Sequence, residues 1–216
     1  YRNRGIGRIL LEEAMRRVDE LGTPVIHVQV PSDSKVCHHL LESVGFSSVR
    51  TYSLMRWKGD RVPSVSIPPG FQIGAFRTDQ DEEPLTKLQN DVFGASWGFC
   101  SNTVDDIKSK LRLKTCDPDG VIIATYNGRM AGYNWTFSAV GSSDSIGWIG
   151  MTGVHPDYRG HGLGKAVALA GMKFLARKEI NLIELEVDDQ NIKAKGIYCS
   201  IGFSTTQRRL WYELIS

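Results

Sequence analysis

The sequence predicts a mixed α/β fold: one complete domain with a central mixed sheet flanked by helices, preceded by the C-terminal half of a second copy. Three observations carry this expectation. From Phe71 to Ile215, strand-like and helix-like segments alternate, the pattern of a sheet with helices packed against it. Residues 1–47 recur, without a gap, 157 positions further along the chain. Between the two copies, residues 58–70 (KGDRVPSVSIPPG) carry Pro63, Pro68 and Pro69, which deny that stretch a helix or a central strand. The expected division is a partial domain over 1–57, a linker over 58–70 and a complete domain over 71–216.

In the longer part, 71–76 reads as a first strand. Thr78 and Asp79 are expected to cap a helix running to about Phe93, with acidic residues 81–83 suited to its positive end. Thr103, with Asp106 three residues on, resembles a capping box before a helix to about Leu113. A strand over 121–126 meets Asn127-Gly128, a strong hairpin turn, and strands over 130–140 and 145–154 follow. Leu163, Val167, Ala170 and Phe174 form one stripe of a helix over 163–177. A strand over 182–187, a helix over 191–201 and a strand over 205–215 complete it. The shorter part gives helix (5–21), strand (25–30), helix (33–44) and strand (49–57), which is the ending of the longer part without its beginning.

Bulk properties exclude several classes. With 216 residues, 41% hydrophobic and 23% charged, the composition is that of an ordinary globular protein. A net charge of +2 without a Lys/Arg run gives no reason to expect nucleic acid. No apolar stretch approaches the roughly 20 residues that cross a bilayer, so no membrane association is expected. Cys37, Cys100, Cys116 and Cys199 show no CxxC pair and no His at ligand spacing. They read as free thiols in a reducing cytoplasm, with no metal site.

The chemistry concentrates in Arg159-Gly160-His161-Gly162-Leu163-Gly164-Lys165, which follows an apolar strand and opens a helix. Glycines let a backbone approach a ligand, and the first N–H groups of a helix have no intrahelical partner. Together with the positive helix end they suit phosphate oxygens. A Walker loop is excluded because Ala166 stands where Ser or Thr must follow Lys165. The spacing Gly160-x-Gly162-x-Gly164 is wrong for a dinucleotide fingerprint. The turn alone leaves open a plain strand-to-helix connection with no ligand.

The surrounding residues narrow this. Val154, Arg159, Gly162 and Gly164 resemble the signature of the GNAT superfamily of N-acetyltransferases, Gln/Arg-x-x-Gly-x-Gly/Ala after a strand ending in valine. Downstream, Val187, Asn191, Ala194, Tyr198 and Gly202-Phe203 are similar to the family's second signature. The resemblance implies a GNAT-like acyltransferase domain using acetyl-CoA, with the pyrophosphate on the backbone of Arg159 to Lys165 and the pantetheine arm along Thr152, Gly153 and Val154. It implies that Asn191 and Tyr198, two helical turns or about 10 Å apart, face the CoA arm, with Tyr198 as acid for the departing thiolate. A model thiol titrates near 8.5 and a phenol near 10, so a phenol can hydrogen-bond or protonate the sulfur. The amine acceptor, a small molecule or a peptide, attacks directly in a ternary complex.

No base is named by the sequence. Glu184, Glu186 and Asp188 are candidates, and solvent is another. Cys199 lacks a His partner, and direct transfer is expected instead. Trp97, Phe99, Tyr133 and Trp135 could line an acceptor pocket or pack the core. A non-catalytic acyl-CoA-binding module is the competing function.

Under the 157-residue shift, Asn191 falls on Ser34 and Tyr198 on Leu41. The first copy keeps the glycine turn and loses the expected acid, so it is expected to be structural or to bind CoA without turnover. Tandem members of the family share this layout. A half-domain leaves a sheet edge and an apolar face uncovered, so a chain extending upstream of Tyr1, or an oligomer, is expected to cover them.

Overall fold

The computed structural model describes residues 4–138 and 146–215. In chain order the elements are α1 (Ile6–Glu20), β1 (Val25–Pro31), α2 (Lys35–Glu42), β2 (Ser47–Lys58), β3 (Phe71–Ala75), α3 (Glu82–Phe93), α4 (Val104–Leu111), β4 (Val121–Tyr126), β5 (Arg129–Ser138), β6 (Ile146–Val154), α5 (Leu163–Arg177), β7 (Leu182–Asp188), α6 (Ile192–Ser200) and β8 (Ser204–Ile215). The mixed α/β class is as expected. The expected strand ends at Val140 and Ser145 lie outside the described residues, as does the Tyr1-Arg2-Asn3 part of the first glycine turn. No helix or strand lies between Lys58 and Phe71.

The chain forms two compact units. One gathers the residues up to Leu54, Val187–Lys195 and the segment from Thr205 on; the other gathers Met55–Glu186 and Gly196–Ser204.

In the first unit the strands lie in the order β1-β8-β2. β1 and β8 run antiparallel, from Val25 opposite Ile215 to Pro31 opposite Arg209. Val30, Leu41, Phe46 and Tyr212 form the buried core. Tyr212 donates its hydroxyl proton to Glu42 at 3.0 Å. Helix α1 buries no residue fully.

In the second unit the order is β7-β6-β5-β4-β3. The β3–β4, β4–β5 and β5–β6 ladders are antiparallel and β6–β7 is parallel. One core joins α3 and α4 to the sheet through Phe76, Leu85, Ile107, Tyr133 and Trp135. The other joins α5 to it through Ile122, Ala131, Leu163 and Val167. Alternation along β4 follows the division: Val121 and Ile123 join the first core and Ile122 and Ala124 the second, because neighbouring residues of a strand face opposite sides.

Local signals account for most boundaries. Thr103 and Asp106 form the capping box, with Asp106 N–H donating to Thr103 Oγ1 at 3.2 Å and Thr103 N–H to Asp106 Oδ2 at 2.8 Å. Asn127 and Gly128 turn the β4–β5 hairpin with φ of 48° and 77°. The start of α3 differs from expectation. Asp79 takes a left-handed φ of 64°, its N–H donates to Glu82 Oε1 at 2.8 Å, and Arg77 N–H donates to Asp81 Oδ2 at 2.8 Å. Thr78 and Asp79 are thereby held in a turn, and the helix begins at Glu82 with Asp81 as its cap.

The two glycine turns share their local conformation. Gly5 caps α1 with φ 74° and Gly162 caps α5 with φ 78°, neither with a side-chain cap. Gly45 and Gly202, also 157 residues apart, have φ of 96° and 99°.

Candidate active site

The site starts from a strand that leaves its neighbour. The parallel ladder between β6 and β7 runs from Ile146 opposite Leu182 to Ile149 opposite Leu185. At that point β6 carries a bulge: Ile149 pairs with Thr136 and Met151 with Trp135, so Gly150 is the extra residue. A Cβ at Gly150 would lie 2.4 Å from the Phe137 ring, which restricts the position to glycine. Beyond the bulge β6 stays paired with β5 from Met151 to Val154. Its other edge, from Thr152 to Val154, lies beyond the parallel ladder with β7.

After β6 the chain makes a short 3-10 turn over Pro156–Tyr158 and enters the glycine segment. Arg159 is extended, and its Nε donates to the Val154 carbonyl at 3.1 Å. Gly160 and Gly162 have φ of 86° and 78°, and a Cβ on either would meet nothing within 4 Å. Leu163 is buried in the core beneath and anchors the helix start. Because Gly162 offers no side-chain cap, the N–H groups of Leu163, Gly164 and Lys165 face the open side of the turn, with exposed Lys165 beside them. The His161 ring lies 6.2 Å from that of Phe71. The cradle therefore fits phosphate oxygens: unobstructed positive-φ glycines, uncapped amides, the helix dipole and two cationic side chains.

Tyr198, on α6, is buried with 8% exposure. Its ring packs edge-on against Phe203 at 5.8 Å between centroids, and its oxygen is hydrogen-bonded to the Thr152 side chain. Burial pushes its phenol above the ordinary value, and the Thr152 contact opposes this. Thr152 in turn accepts a hydrogen bond from Asn134 Nδ2 at 2.7 Å across the β5–β6 ladder. The second unit thus brings Thr152, the glycine turn and Tyr198 together.

Asn191 belongs to the first unit. Its Oδ1 accepts the Ala194 N–H at 3.1 Å, so the side chain caps the first turn of α6. Ser34, its counterpart, precedes α2 without a side-chain cap, and Leu41, the counterpart of Tyr198, is a core residue.

The base candidates fare unevenly. Glu184 is buried and engaged by Arg56, with Nε donating at 2.7 Å. Asp188 pairs with Arg50 at 3.1 Å. Glu186 is half-buried on β7. Tyr133 and Trp135 are core residues, and Phe99 packs against Phe93. Cys199 is exposed, and all four cysteines are free thiols. Among the described residues no group of three or more His, Cys, Asp or Glu side chains could hold a metal ion, and no helix is long and apolar enough to cross a membrane.

Sequence reasoning expected only the Thr152 backbone to matter and passed over Asn134. The signal linking them is strand register, which pairs two residues 18 apart and cannot be read from spacing.

Comparison with known proteins gives the family. The pattern of the acetyltransferase (GNAT) family matches residues 83–203, more than half of the chain. A mycothiol acetyltransferase of Renibacterium salmoninarum is 28% identical over 210 residues, covering 94% of this chain and 61% of that protein. Another, of Thermobispora bispora, is 29% identical and covers 94% and 69%. The chain thus spans roughly two thirds of the length of these relatives. Among solved structures, a GCN5-related N-acetyltransferase from Sphaerobacter thermophilus superposes with a TM-score of 0.83 at 22% identity, covering 99% of this chain and 69% of that one. A tandem GNAT protein from the clavulanic acid biosynthesis pathway gives 0.76 at 20% identity, covering 100% and 71%. Those two share the fold. From the match over residues 83–203, together with the splayed strand and glycine turn, the chain belongs to the acetyltransferase (GNAT) family.

Proposed function

We propose that the second unit is an acetyl-CoA-dependent N-acyltransferase that moves an acetyl group to a primary amine by direct attack, with Tyr198 as its acid. The observation that carries this reading is the buried Tyr198 phenol on Thr152, a residue of the strand that leaves its neighbour beside the glycine turn.

Acetyl-CoA, when bound, supplies the activated acyl thioester. Backbone N–H groups of the turn from Arg159 to Lys165 hold its pyrophosphate, and Arg159 and Lys165 add charge. The free edge of β6 from Thr152 to Val154 pairs with the pantetheine arm, and an N–H there polarises the acetyl carbonyl. Asn191 caps the first turn of α6. As the amine nitrogen bonds to the acetyl carbon, the carbon–sulfur bond breaks, and Tyr198 gives its proton to the sulfur. The amine loses one proton to solvent, which restores the phenol; the products are an N-acetyl amine and the CoA thiol. Glu184 is tied to Arg56 and takes no part, so positioning supplies most of the acceleration. The acceptor is a small-molecule or peptide amine. The four free cysteines fit a reducing compartment such as the cytoplasm.

The test is release of CoA thiol from acetyl-CoA across a panel of primary amines, followed by Tyr198→Phe with the best acceptor. Acetyl-CoA affinity should be kept while turnover falls about 100-fold, the lower range for a lost general acid. Unchanged turnover would remove Tyr198 from the chemistry. Binding of acetyl-CoA without transfer to any amine would favour a non-catalytic module.

A further inference from the structure

A hydroxyl that hydrogen-bonds a tyrosine can do so in two ways, and they have opposite consequences. If the tyrosine donates to it, the phenolic proton is occupied. If the tyrosine oxygen accepts, the proton is free to point elsewhere. The surroundings of Thr152 favour the second.

Asn134 is fully buried and lies directly opposite Thr152 in the ladder. Its Nδ2 donates to Thr152 Oγ1 at 2.7 Å. Its Oδ1 lies 1.9 Å from the point where a Cβ of Gly171 would stand, so it faces the Cα–H of that glycine, and it has no conventional hydrogen-bond partner. A Cα–H is a weak donor, which suits a carbonyl oxygen and not an NH2 group. This fixes the amide with its donor toward Thr152. A hydroxyl oxygen can accept twice, so this alone leaves both directions open; a proton donated by Thr152 to the Tyr198 oxygen is the direction that lowers the phenol and that pairs the single Thr152 proton.

We propose that Thr152 is a positioning residue for Tyr198: its hydroxyl, held by the Asn134 amide, donates to the Tyr198 oxygen and turns the phenolic proton toward the sulfur of the bound thioester. This rests on the reading of Tyr198 as the acid. The chain of donors runs one way, from Asn134 through Thr152 to Tyr198 to sulfur. Only the last proton moves in the reaction; the Thr152 proton stays on its oxygen. The same hydrogen bond makes the phenol a better acid than burial alone would, because it favours the phenolate.

The other ionisable groups around Tyr198 do not supply this effect. Tyr133 on β5 is itself pushed well above the ordinary phenol value, first by burial and then by Tyr198, and stays neutral. Glu184 on β7 is matched by Arg56, and Glu186 is on the same strand. On α6 itself, Lys195 is held by Asp189 and Ser53, while Lys193 and Cys199 are its other ionisable residues.

The experiment uses CoA as the probe and needs no acceptor. The thiolate absorbance of CoA bound to the full chain is followed against pH in the wild type, Thr152→Val, Thr152→Ser, Tyr198→Phe and the Thr152→Val/Tyr198→Phe pair. A proton donated by Tyr198 stabilises the thiolate, so Tyr198→Phe should raise the titration of the bound thiol. Thr152→Val should raise it similarly, by about three- to tenfold in proton affinity, a half to one pKa unit. Thr152→Ser should match the wild type, and in the Tyr198→Phe background Thr152→Val should add nothing. If valine disturbs the strand, Thr152→Ala removes the same hydroxyl and should behave alike. A shift with Tyr198→Phe but none with either Thr152 variant would overturn the positioning role alone. No shift with Tyr198→Phe would overturn the acid reading beneath it. Additive shifts would show that Thr152 acts on the sulfur without Tyr198 and would also overturn the proposal.

Discussion

The side-chain oxygen of Asn134 occupies the space that a Cβ on Gly171 would fill, 1.9 Å from that point. Gly171 lies in the middle of α5, where alanine would favour the helix by about 1 kcal/mol. The glycine is explained by what crosses above it. Gly171→Ala is expected to destabilise the protein by about 2 kcal/mol through overpacking and to push the Asn134 amide off Thr152. In an Asn134→Ala background the same substitution should cost much less. Urea unfolding of the four-member cycle measures this coupling. Additive costs would mean that the two residues do not contend for one space.

The glycine turn has a local and a functional consequence. Gly162→Ala forces a side chain into a left-handed conformation, at about 1 kcal/mol, and closes the open cradle. Acetyl-CoA affinity by calorimetry is expected to fall on the order of tenfold, the equivalent of about 1.4 kcal/mol. Gly5→Ala meets the same strain at φ 74° and should leave turnover unchanged. Equal losses of turnover would assign chemistry to both turns.

Asp81 gives the acid limb of stability. Burial acts to raise its carboxyl, but hydrogen bonds from Arg77 outweigh this and hold it below the usual carboxylate range. A depressed folded-state pKa stabilises above the unfolded value, near 3.9, and the benefit is lost as pH falls through the folded value. Asp81→Asn should therefore cost on the order of 2 kcal/mol at pH 7, since an amide offers one acceptor oxygen where the carboxylate offers two and an Arg77 donor then faces an NH2 group. The gap from the wild type should narrow below about pH 4. A gap independent of pH would assign the effect to packing.

Cysteine reactivity should follow exposure. Cys116 accepts the Trp135 indole N–H at 3.2 Å, and burial, opposed by that contact, raises its thiol. Cys100 and Cys199 are exposed. Under native conditions, alkylation at pH 7.5 followed by mass spectrometry should label Cys100 and Cys199 well before Cys116. Early labelling of Cys116 would mean that the α3–α4 core opens readily.

Much of the second unit was legible because its signals are local. The Thr103 capping box, the Asn127-Gly128 hairpin and the α5 stripe each depend on residues within a few positions of one another. The α3 start was misread because Asp79 and Thr78 carry the right side chains for a cap but are held in a turn by Asp81 and Glu82. The glycine turn was legible as the entry to α5, since Gly162 can take a positive φ without the strain a side chain would add. What could not be read was long-range. The bulge at Gly150, the end of the parallel ladder at Ile149, and the Asn134–Thr152–Tyr198 chain depend on register and on which strand lies beside which. Arg56 engaging Glu184 removes a base candidate for the same reason.

The account stands most directly on where acetyl-CoA sits. A crystal structure of the chain with acetyl-CoA at saturation should show the pyrophosphate on the amides between Arg159 and Lys165, the pantetheine along Thr152 to Val154, and the Tyr198 hydroxyl within hydrogen-bond reach of the thioester sulfur. A ligand bound elsewhere, or a Tyr198 hydroxyl turned away from the sulfur and donating to Thr152, would contradict it.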